Sequence, residues 1–365
     1  MNTDFEKWIN FGSGPAALPQ EVLQEASEAI INYRNTGLSI LEIPHRGKLF
    51  NEILEEANAL VKRLCALDDA FEVLWLQGGG RMQFSMIPMN FLRREKTAAF
   101  IESGHWSEEA CQYARYYGNT EVIASSKKDR FRSLPDLPDT FPADLAYLHL
   151  TTNNTIFGTQ RPELPEMQVP LVADMSSDIF SRKRRYSSCS LFYAVAQKNL
   201  GPAGVTLVAV RKDFLQKARI DLPPFLSFIQ QVSMNSLVNT PPVFAIFASL
   251  LMLRWTSRRG IDQLEQESIL KSDLLYSELE RNTLFKPYVS EQSHRSRMNI
   301  CFNAVKDGIE EGFLDFCERN RVTGIRGHRS TGGFRASLYN AITVQDVRKL
   351  ISLMQEYEHN NIETR

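Results

Sequence analysis

The sequence lacks the features that would point to a large or extended binding partner. Its 42 Lys and Arg nearly balance 43 Asp and Glu, a net charge of -1, so no overall charge attracts nucleic acid or an acidic membrane. The longest apolar run, residues 242–255, is shorter than the roughly 20 residues needed to cross a bilayer, and it contains Arg254. We interpret it as a buried helix and expect no membrane association. The expected ligand is therefore a small molecule.

Cysteine is scarce and is not spaced for metal binding. The five cysteines form no CxxC pair and no ligand-like spacing with the six histidines, which argues against a structural zinc and a disulfide framework. The N-terminal segment has neither the basic and apolar regions of a secretion signal nor the Arg- and Ser-rich character of a transit peptide. We therefore expect no metal site and a location in the reducing cytoplasm.

Length and patterning predict two domains. A chain of 365 residues exceeds what one hydrophobic core usually supports. Short β-rich runs alternate with polar or helical segments at about 73–77, 98–103, 145–150, 169–173, 192–195 and 205–210. Such alternation is typical of an α/β domain with a mostly parallel sheet. Several runs end in polar or glycine residues, and in open α/β sheets these ends converge on one ligand site.

The pattern changes after the apolar helix near 242–257. We predict a helical stretch through Arg281, a strand near 298–302, a helix at 308–319, a strand at 334–339 and a final helix with Thr343 as its N-cap. One face of that final helix carries four apolar residues, Val347, Leu350, Ile351 and Met354. These elements predict a second, smaller α+β domain.

Three strand ends carry residues that are suited to ligand binding or catalysis. Glycines 78–80 precede a helix predicted to begin near Gln83, where backbone amides can approach a phosphate, although plain turn geometry also explains a glycine run. Asp174 ends an apolar strand, so it needs a cationic partner or caps the segment that follows. Lys198 follows another apolar run and precedes a tight turn. A desolvated lysine there is nucleophilic, whereas a solvated one is inert.

The order of these features resembles fold-type I pyridoxal-phosphate enzymes, and longer motifs resemble the phosphoserine aminotransferase family among the class-V aminotransferases. The matching segments extend along nearly the whole chain: NFGSGPAA from Asn10, HRG from His45, GGGRMQF from Gly78, NNTIFGTQ from Asn153, ADMSSD from Ala173, AQKNLGPAG from Ala196, NTPP from Asn239 and GHRSTGGFRASLYNA from Gly327.

The resemblance implies a fold and a cofactor site. It implies a large domain of residues 16–258 with a mostly parallel seven-stranded sheet flanked by helices, and a small domain of residues 1–15 and 259–365. Lys198 would form a Schiff base with pyridoxal 5'-phosphate and move the substrate proton, while Asp174 would keep the pyridine nitrogen protonated. The remaining cofactor contacts implied are Trp106 on the ring, Thr155 near its phenolic oxygen, and Gly80, Arg81, Gln197, Asn239 and Thr240 at the phosphate.

The resemblance also implies substrate contacts and a shared site. Arg335 would bind the α-carboxylate, and four further residues would bind the phosphate or the glutamate side chain: His45, Arg46, His328 and Arg329. Asn239, Thr240, His45 and Arg46 would come from the neighbouring subunit of a homodimer. Taken singly, each arginine could equally form a surface ion pair. The basic cluster at 182–185 is interpreted as a solvated loop face. A nucleic-acid-binding surface is not favoured, because no aromatic residues interleave with the basic ones.

The activity implied is reversible amino transfer between L-glutamate and 3-phosphohydroxypyruvate, giving O-phospho-L-serine and 2-oxoglutarate in L-serine biosynthesis. A second substrate, 4-phosphohydroxy-L-threonine in pyridoxine biosynthesis, stays open. Cysteine desulfuration is a rival within the fold, but Cys301 and Cys317 lie in predicted core elements rather than on a mobile loop. A cofactor-free binding protein is the rival from another class, and retention of Lys198 and Asp174 argues against it.

Overall fold

The computed structural model describes residues 7–138, 140–142 and 144–362. The strands within these residues are β1 (Ile9–Asn10), β2 (Phe71–Leu76), β3 (Thr97–Glu102), β4 (Asn119–Ser125), β5 (Leu145–Thr151), β6 (Leu171–Asp174), β7 (Leu191–Val195), β8 (Thr206–Arg211), β9 (Phe285–Pro287), β10 (Asn299–Ala304), β11 (Val322–Thr323) and β12 (Phe334–Ser337). The α-helices are α1 (Gln20–Asn32), α2 (Lys48–Leu64), α3 (Gly79–Phe91), α4 (His105–Ala114), α5 (Lys212–Leu215), α6 (Phe228–Ser233), α7 (Val243–Arg259), α8 (Ile261–Arg281), α9 (Ile309–Arg319) and α10 (Val344–Ile362).

The central element is a seven-stranded sheet in the order β2-β8-β7-β6-β5-β3-β4. β8 runs antiparallel to both of its neighbours, and the other pairs are parallel. This confirms the predicted mostly parallel α/β sheet. Its middle strands β6 and β7 are buried along their whole length, because helices cover both faces.

Alternate residues of each strand supply the two cores beside this sheet. On β2, Val73 and Trp75 join a cluster that includes residues of α1, α2 and α7, whereas Leu74 and Leu76 join a cluster with residues of α3 and α4. Because β2 carries apolar side chains on both faces, a helical layer on each side of the sheet stabilises it. The arrangement leaves the strand ends free to form a site.

Edge strand β4 was not predicted. Its sequence, Asn119–Ser125, is largely polar and its side chains are exposed or half-buried. An edge strand pairs on one side only, so it needs no continuous apolar run, and the pattern that identified the other strands was missing here. Helix α3 also begins earlier than predicted, at Gly79, directly after the glycine turn.

The C-terminal part packs around a separate apolar cluster. The antiparallel sheet β12-β10-β9 and helices α8, α9 and α10 supply most of that cluster, and Phe11 joins it from the N-terminal segment. β1 pairs in parallel with β11, which ties the same segment to this part. The domain boundary at 258 and 259 stays a prediction, and residues 1–6 of the predicted small domain lie outside the described residues.

Thr343 caps α10 as predicted. Its hydroxyl oxygen accepts the backbone N–H of Asp346 at 3.1 Å, and the Asp346 carboxylate accepts the backbone N–H of Thr343 at 2.8 Å. This reciprocal pair satisfies donors that the start of a helix leaves free. The cap fixes where the final helix begins, next to the segment that follows β12.

Candidate active site

A cavity of about 420 Å³ opens at the carboxyl ends of β2, β5, β6 and β7. It brings together the following predicted residues: Gly80, Arg81, Trp106, Thr155, Asp174, Gln197, Lys198, His328 and Arg335. These residues come from the glycine turn, from loops after strands and from the C-terminal part. The convergence expected from the strand-end pattern is therefore present at one point.

Lys198 lies in a turn that the backbone holds closed. The backbone N–H groups of Lys198 and Gly201 both donate to the Ala196 carbonyl oxygen at 2.7 Å. The next residue, Asn199, donates through its side chain to the Ile179 carbonyl oxygen at 3.1 Å and accepts the backbone N–H of Asn340 at 2.9 Å. The side chain of Lys198 therefore projects into the cavity from an anchored segment.

The environment of Lys198 favours the neutral form of its amine. Burial lowers the pKa of Lys198 to about 8, while the nearby carboxylate of Asp174 acts in the opposite direction. A buried ammonium is costly, so an amine in this position loses its proton more readily than one in water. Lys198 is half-buried at the cavity, and its lowered pKa makes it suited to act as a nucleophile and as a base.

Asp174 is the last residue of β6 and is 6% exposed. Its carboxylate accepts the backbone N–H of Ser176 at 2.9 Å. Burial raises the pKa of this carboxyl, and the charge of Lys198 lowers it. The contact with Ser176 shows that Asp174 caps the segment that follows, as one of the two interpretations of the sequence expected. Asp174 also faces the cavity, where a second cation would stabilise its charge.

The glycine turn opens the start of α3 toward the cavity. Gly78 and Gly79 both have positive φ, 89° and 67°, which only glycine adopts without strain. A Cβ added at Gly79 would meet no atom within 4 Å, so this side of the turn is open. The first N–H groups of α3 lack intrahelical acceptors and carry the positive end of its dipole, which suits an anion.

Trp106, Thr155 and Arg335 form a connected wall. The Trp106 indole N–H donates to the Thr155 hydroxyl at 3.0 Å, and Arg335 donates to the Thr155 carbonyl oxygen at 3.1 Å. The Nε of Arg335 is buried and has no acceptor among the described residues. One contact therefore fixes the guanidinium while other donors remain for a ligand.

A buried hydrogen-bond network joins this wall to the C-terminal sheet. The Asn153 side-chain amide donates to the Ser177 hydroxyl and to the side-chain oxygen of Asn299, both at 2.7 Å. The Asn299 amide in turn donates to the Ser337 hydroxyl at 2.9 Å. Ser337 lies two residues after Arg335 on β12, so the network holds that strand at a fixed position against the cavity.

His328 faces the cavity, and its pKa is lowered first by burial and then by the charge of Arg335. The neighbouring Arg329 is exposed and does not line the cavity. His45 and Arg46 also lie away from the cavity of their own chain. Asn239 and Thr240 lie near Gln77 instead, where the Gln77 amide donates to the Thr240 carbonyl oxygen at 3.2 Å.

Sequence reasoning missed several cavity-lining residues, namely Ser13, Gly14, Thr151, Asn153, Ser176 and Ser177. Most of them lie inside motifs that were noticed for another residue. Ser176 and Ser177 follow Asp174 directly, so their position after a strand end was the available signal. Thr151 ends β5 beside β6, which only the pairing of these strands reveals.

The basic cluster at 182–185 is not a solvated face, contrary to the sequence interpretation. Arg184 is buried and donates to the Asp178 carboxylate at 2.6 Å, and Arg182 is buried as well. Thr152 and Gln160 also donate to that carboxylate. Only Lys183 and Arg185 are exposed. One of the four basic residues, Arg184, therefore forms a buried structural ion pair with Asp178.

The cysteines are free and buried, including Cys301 and Cys317. Burial raises the pKa of each of these two thiols to about 12. A thiol in that state is a poor nucleophile, which removes the physical basis for desulfuration. Separately, none of the helices in the described part of the chain is long and apolar enough to span a bilayer.

The fold and the cavity define a transferase that uses pyridoxal phosphate, and comparison with known proteins gives the family. A family model described as aminotransferase class-V matches residues 8–350. The chain belongs to this family, and it is a pyridoxal-phosphate-dependent aminotransferase.

Individual relatives are more specific. The phosphoserine aminotransferase of Bacillus subtilis (strain 168) is 42% identical over 357 residues, which are 98% of this chain and 99% of the relative. That of Bacteroides thetaiotaomicron is 44% identical over 352 residues, 96% of this chain and 98% of the relative.

Solved structures agree with these relatives. The phosphoserine aminotransferase from Bacillus circulans subsp. alkalophilus superposes with a TM-score of 0.95 at 39% identity, covering 98% of this chain and 99% of that one. The pyridoxal-phosphate-bound enzyme from Trichomonas vaginalis superposes with a TM-score of 0.89 at 30% identity, covering 96% and 100%.

The cavity suits this cofactor chemically. It offers an amine with a lowered pKa, a buried carboxylate with a raised pKa that would gain from a cation, and a helix start that is open to an anion. An aldehyde, a pyridine nitrogen and a phosphate are the complementary groups, and pyridoxal phosphate carries all three.

Proposed function

We propose that the protein reversibly transfers the amino group between L-glutamate and 3-phosphohydroxypyruvate, giving O-phospho-L-serine and 2-oxoglutarate in L-serine biosynthesis. The observation that carries the proposal is the presence of Lys198, Arg335 and His328 around one cavity. These residues supply a base, a guanidinium that binds a carboxylate, and an imidazole that donates a hydrogen bond to a phosphate, all facing the same cavity. The names of the relatives support this choice of substrates. We place the reaction in the cytoplasm.

The cofactor would be held by residues of three kinds. Lys198 is the covalent anchor, Asp174 is the partner of the ring nitrogen, and Trp106 with Thr155 bounds the ring. Gly80, Arg81 and Gln197 serve the phosphate. When bound, pyridoxal phosphate supplies an electron sink that stabilises the charge left on a deprotonated Cα. The protein holds these groups in position, and the buried cavity strengthens the electrostatic interactions between them and the cofactor.

Lys198 then acts as the acid and base. Because burial lowers its pKa to about 8, a substantial fraction of the amine is neutral near pH 7 to 8 and can accept a proton from the substrate Cα. Asp174 and Asp178 stabilise the ammonium that results. The same group can therefore return the proton, as a reversible transfer requires.

Arg335 would bind the α-carboxylate shared by every substrate of this reaction. Its contact with Thr155 fixes the guanidinium, and its buried Nε still lacks an acceptor within the described residues. Burying a donor without a partner is costly, so a carboxylate here would be favoured by hydrogen bonding as well as by charge. A single arginine thus serves both half-reactions.

The phosphate would be bound by His328 and Arg329 together with His45 and Arg46 of a second subunit. Because His45 and Arg46 lie outside the cavity of their own chain, they could act only on another copy. The same argument applies to Asn239 and Thr240 at the cofactor phosphate. We therefore propose a homodimer in which both subunits complete each site.

A coupled assay tests the substrate assignment. Purified protein loaded with pyridoxal phosphate is given 2-oxoglutarate and one amino donor, and glutamate is measured. O-Phospho-L-serine should be used far better than L-serine or L-alanine, because only the first offers a group for the cationic residues. Parallel trials with 4-phosphohydroxy-L-threonine measure the second substrate left open by the sequence. Equal rates with phosphorylated and unphosphorylated donors would overturn the assignment.

A further inference from the structure

Two buried polar residues lie behind Asp174, and the proposed mechanism assigns no role to either of them. His149 on β5 and Tyr193 on β7 are buried, and their side chains meet with His149 Nε2 3.0 Å from the Tyr193 hydroxyl. Tyr193 is the register partner of Asp174 across the β6–β7 pair. The Tyr193 side chain therefore lies beside that of Asp174, and the carboxylate raises the pKa of Tyr193 while Tyr193 lowers the pKa of Asp174. The three side chains thus form a line from the cavity into the sheet.

The proton positions along this line follow from one unpartnered atom. His149 Nδ1 is buried and has no hydrogen-bond partner in the described ranges. An orphaned buried N–H is rarer and costlier than an unused acceptor, so Nδ1 carries the lone pair and Nε2 carries the proton. His149 therefore donates to the Tyr193 oxygen, and the Tyr193 proton is directed to the Asp174 carboxylate.

The surroundings keep this line neutral. Phe84 and Phe100 pack against the His149 ring, with ring centroids 6.5 and 5.4 Å away. Burial lowers the pKa of His149 to about 3 and raises that of Tyr193 well above its usual value. Neither side chain is charged at neutral pH. They can stabilise a carboxylate by donating hydrogen bonds without placing a competing cation beside it.

We propose that Tyr193 and His149 are positioning residues that hold Asp174 ionised and aimed at the cofactor's ring nitrogen. Their effect acts through the interaction between this carboxylate and that nitrogen. Removing the donors should weaken binding of a cofactor whose ring nitrogen can be protonated, and should spare a cofactor that lacks the nitrogen. The inference rests on the cofactor site and does not depend on the identity of the substrate.

The test compares two cofactors in the apoprotein. Dissociation constants are measured for pyridoxal phosphate and for its 1-deaza analogue, in which a C–H replaces the ring nitrogen. Tyr193→Phe should weaken pyridoxal phosphate binding about tenfold, as expected for a lost hydrogen bond to a charged group, and should leave the analogue nearly unchanged. His149→Leu should act in the same direction with a smaller effect. His149→Gln retains a neutral donor and should restore most of the affinity.

The control is Tyr147→Phe. Tyr147 is also buried, lies two residues before His149 on β5, and belongs to the same apolar cluster as Tyr193, where its ring packs against Phe100. This variant should bind both cofactors as the wild type does. Equal losses for both cofactors in Tyr193→Phe would indicate a merely structural role and overturn the proposal, as would no loss at all.

A measurement on the unsubstituted apoprotein gives a second test. Nitrogen chemical shifts should show His149 as the Nε2–H tautomer and neutral between pH 5 and 8. The Nδ1–H tautomer would reverse the direction of the hydrogen bonds and contradict the proposal, and so would a cationic ring within that range.

Discussion

The guanidinium of Arg335 donates to the backbone carbonyl oxygen of Thr155 at 3.1 Å, which joins a residue of β12 to the loop after β5. The side chain of Thr155 is in turn bound by Trp106. Thr155 therefore holds both Arg335, which is proposed to bind the carboxylate, and Trp106, which is proposed to contact the cofactor ring. A shift of this loop would displace both.

Replacing Arg335 should damage catalysis through substrate binding. Arg335→Ala should lower kcat/KM for phosphoserine about 100-fold, because a bidentate charged contact is lost. Arg335→Lys should fall between this variant and the wild type, since it keeps the charge and loses the fork. Steady-state kinetics with each substrate measure both effects. Arg326→Ala is the control, because Arg326 forms an exposed ion pair with Glu311 and should leave kcat/KM within about twofold.

The lowered pKa of Lys198 predicts a pH dependence in the apoprotein. Acylation of Lys198 by a succinimidyl ester, followed by peptide mass spectrometry, should show a midpoint near pH 8, because the group reacts only when neutral. Asp174 raises this pKa, so Asp174→Asn should move the midpoint to lower pH. The exposed Lys128 in the same digest normalises the reagent's own pH dependence. A midpoint near the ordinary lysine value of 10.5 would contradict the buried environment.

The glycine turn predicts a combined loss of stability and cofactor affinity. An alanine Cβ at Gly78 would lie 2.6 Å from the Met82 Cβ, and φ there is positive. Gly78→Ala should therefore weaken pyridoxal phosphate binding and lower the free energy of unfolding by more than the 1–2 kcal/mol or so that a left-handed conformation costs. Gly37→Ala has a similar φ of 80° and no contact within 4 Å, so it isolates that conformational cost. Equal behaviour of the two variants would show that the turn tolerates a side chain.

The cap of α10 provides a prediction about stability alone. Thr343→Ala should lower the free energy of unfolding by about 1 kcal/mol, because the Asp346 N–H loses its acceptor. Thr343→Ser keeps the hydroxyl and should lose little. Denaturant unfolding measures the difference. Neither variant should change KM, since the cap lies outside the cavity, and a changed KM would indicate coupling between α10 and the site.

The strands and residues that could be predicted share one physical origin. Buried strands such as β6 and β7 need apolar side chains on both faces, so their ends stand out where polar residues begin, as at Asp174. Edge strand β4 carries no such requirement and was missed. Long motifs then gave the fold and family, because their order along the chain is specific.

Other features depend on tertiary contacts that no local pattern encodes. Arg184 is charged like its neighbours in the sequence, and only the position of Asp178 explains its burial. The alignment of His149, Tyr193 and Asp174 requires three strands to pair in one register. The roles proposed for His45 and Asn239 require a second subunit. For that reason they remain predictions.

A single-turnover experiment tests the central claim most directly. Protein loaded with pyridoxal phosphate is mixed with O-phospho-L-serine in the absence of any oxo acid, and the products are quantified alongside Lys198→Ala. The wild type should release one molecule of 3-phosphohydroxypyruvate per site, retain the amino group, and form glutamate only when 2-oxoglutarate is added. The variant should release none at a comparable rate. Failure of the loaded wild type to release any 3-phosphohydroxypyruvate would contradict the proposed reaction.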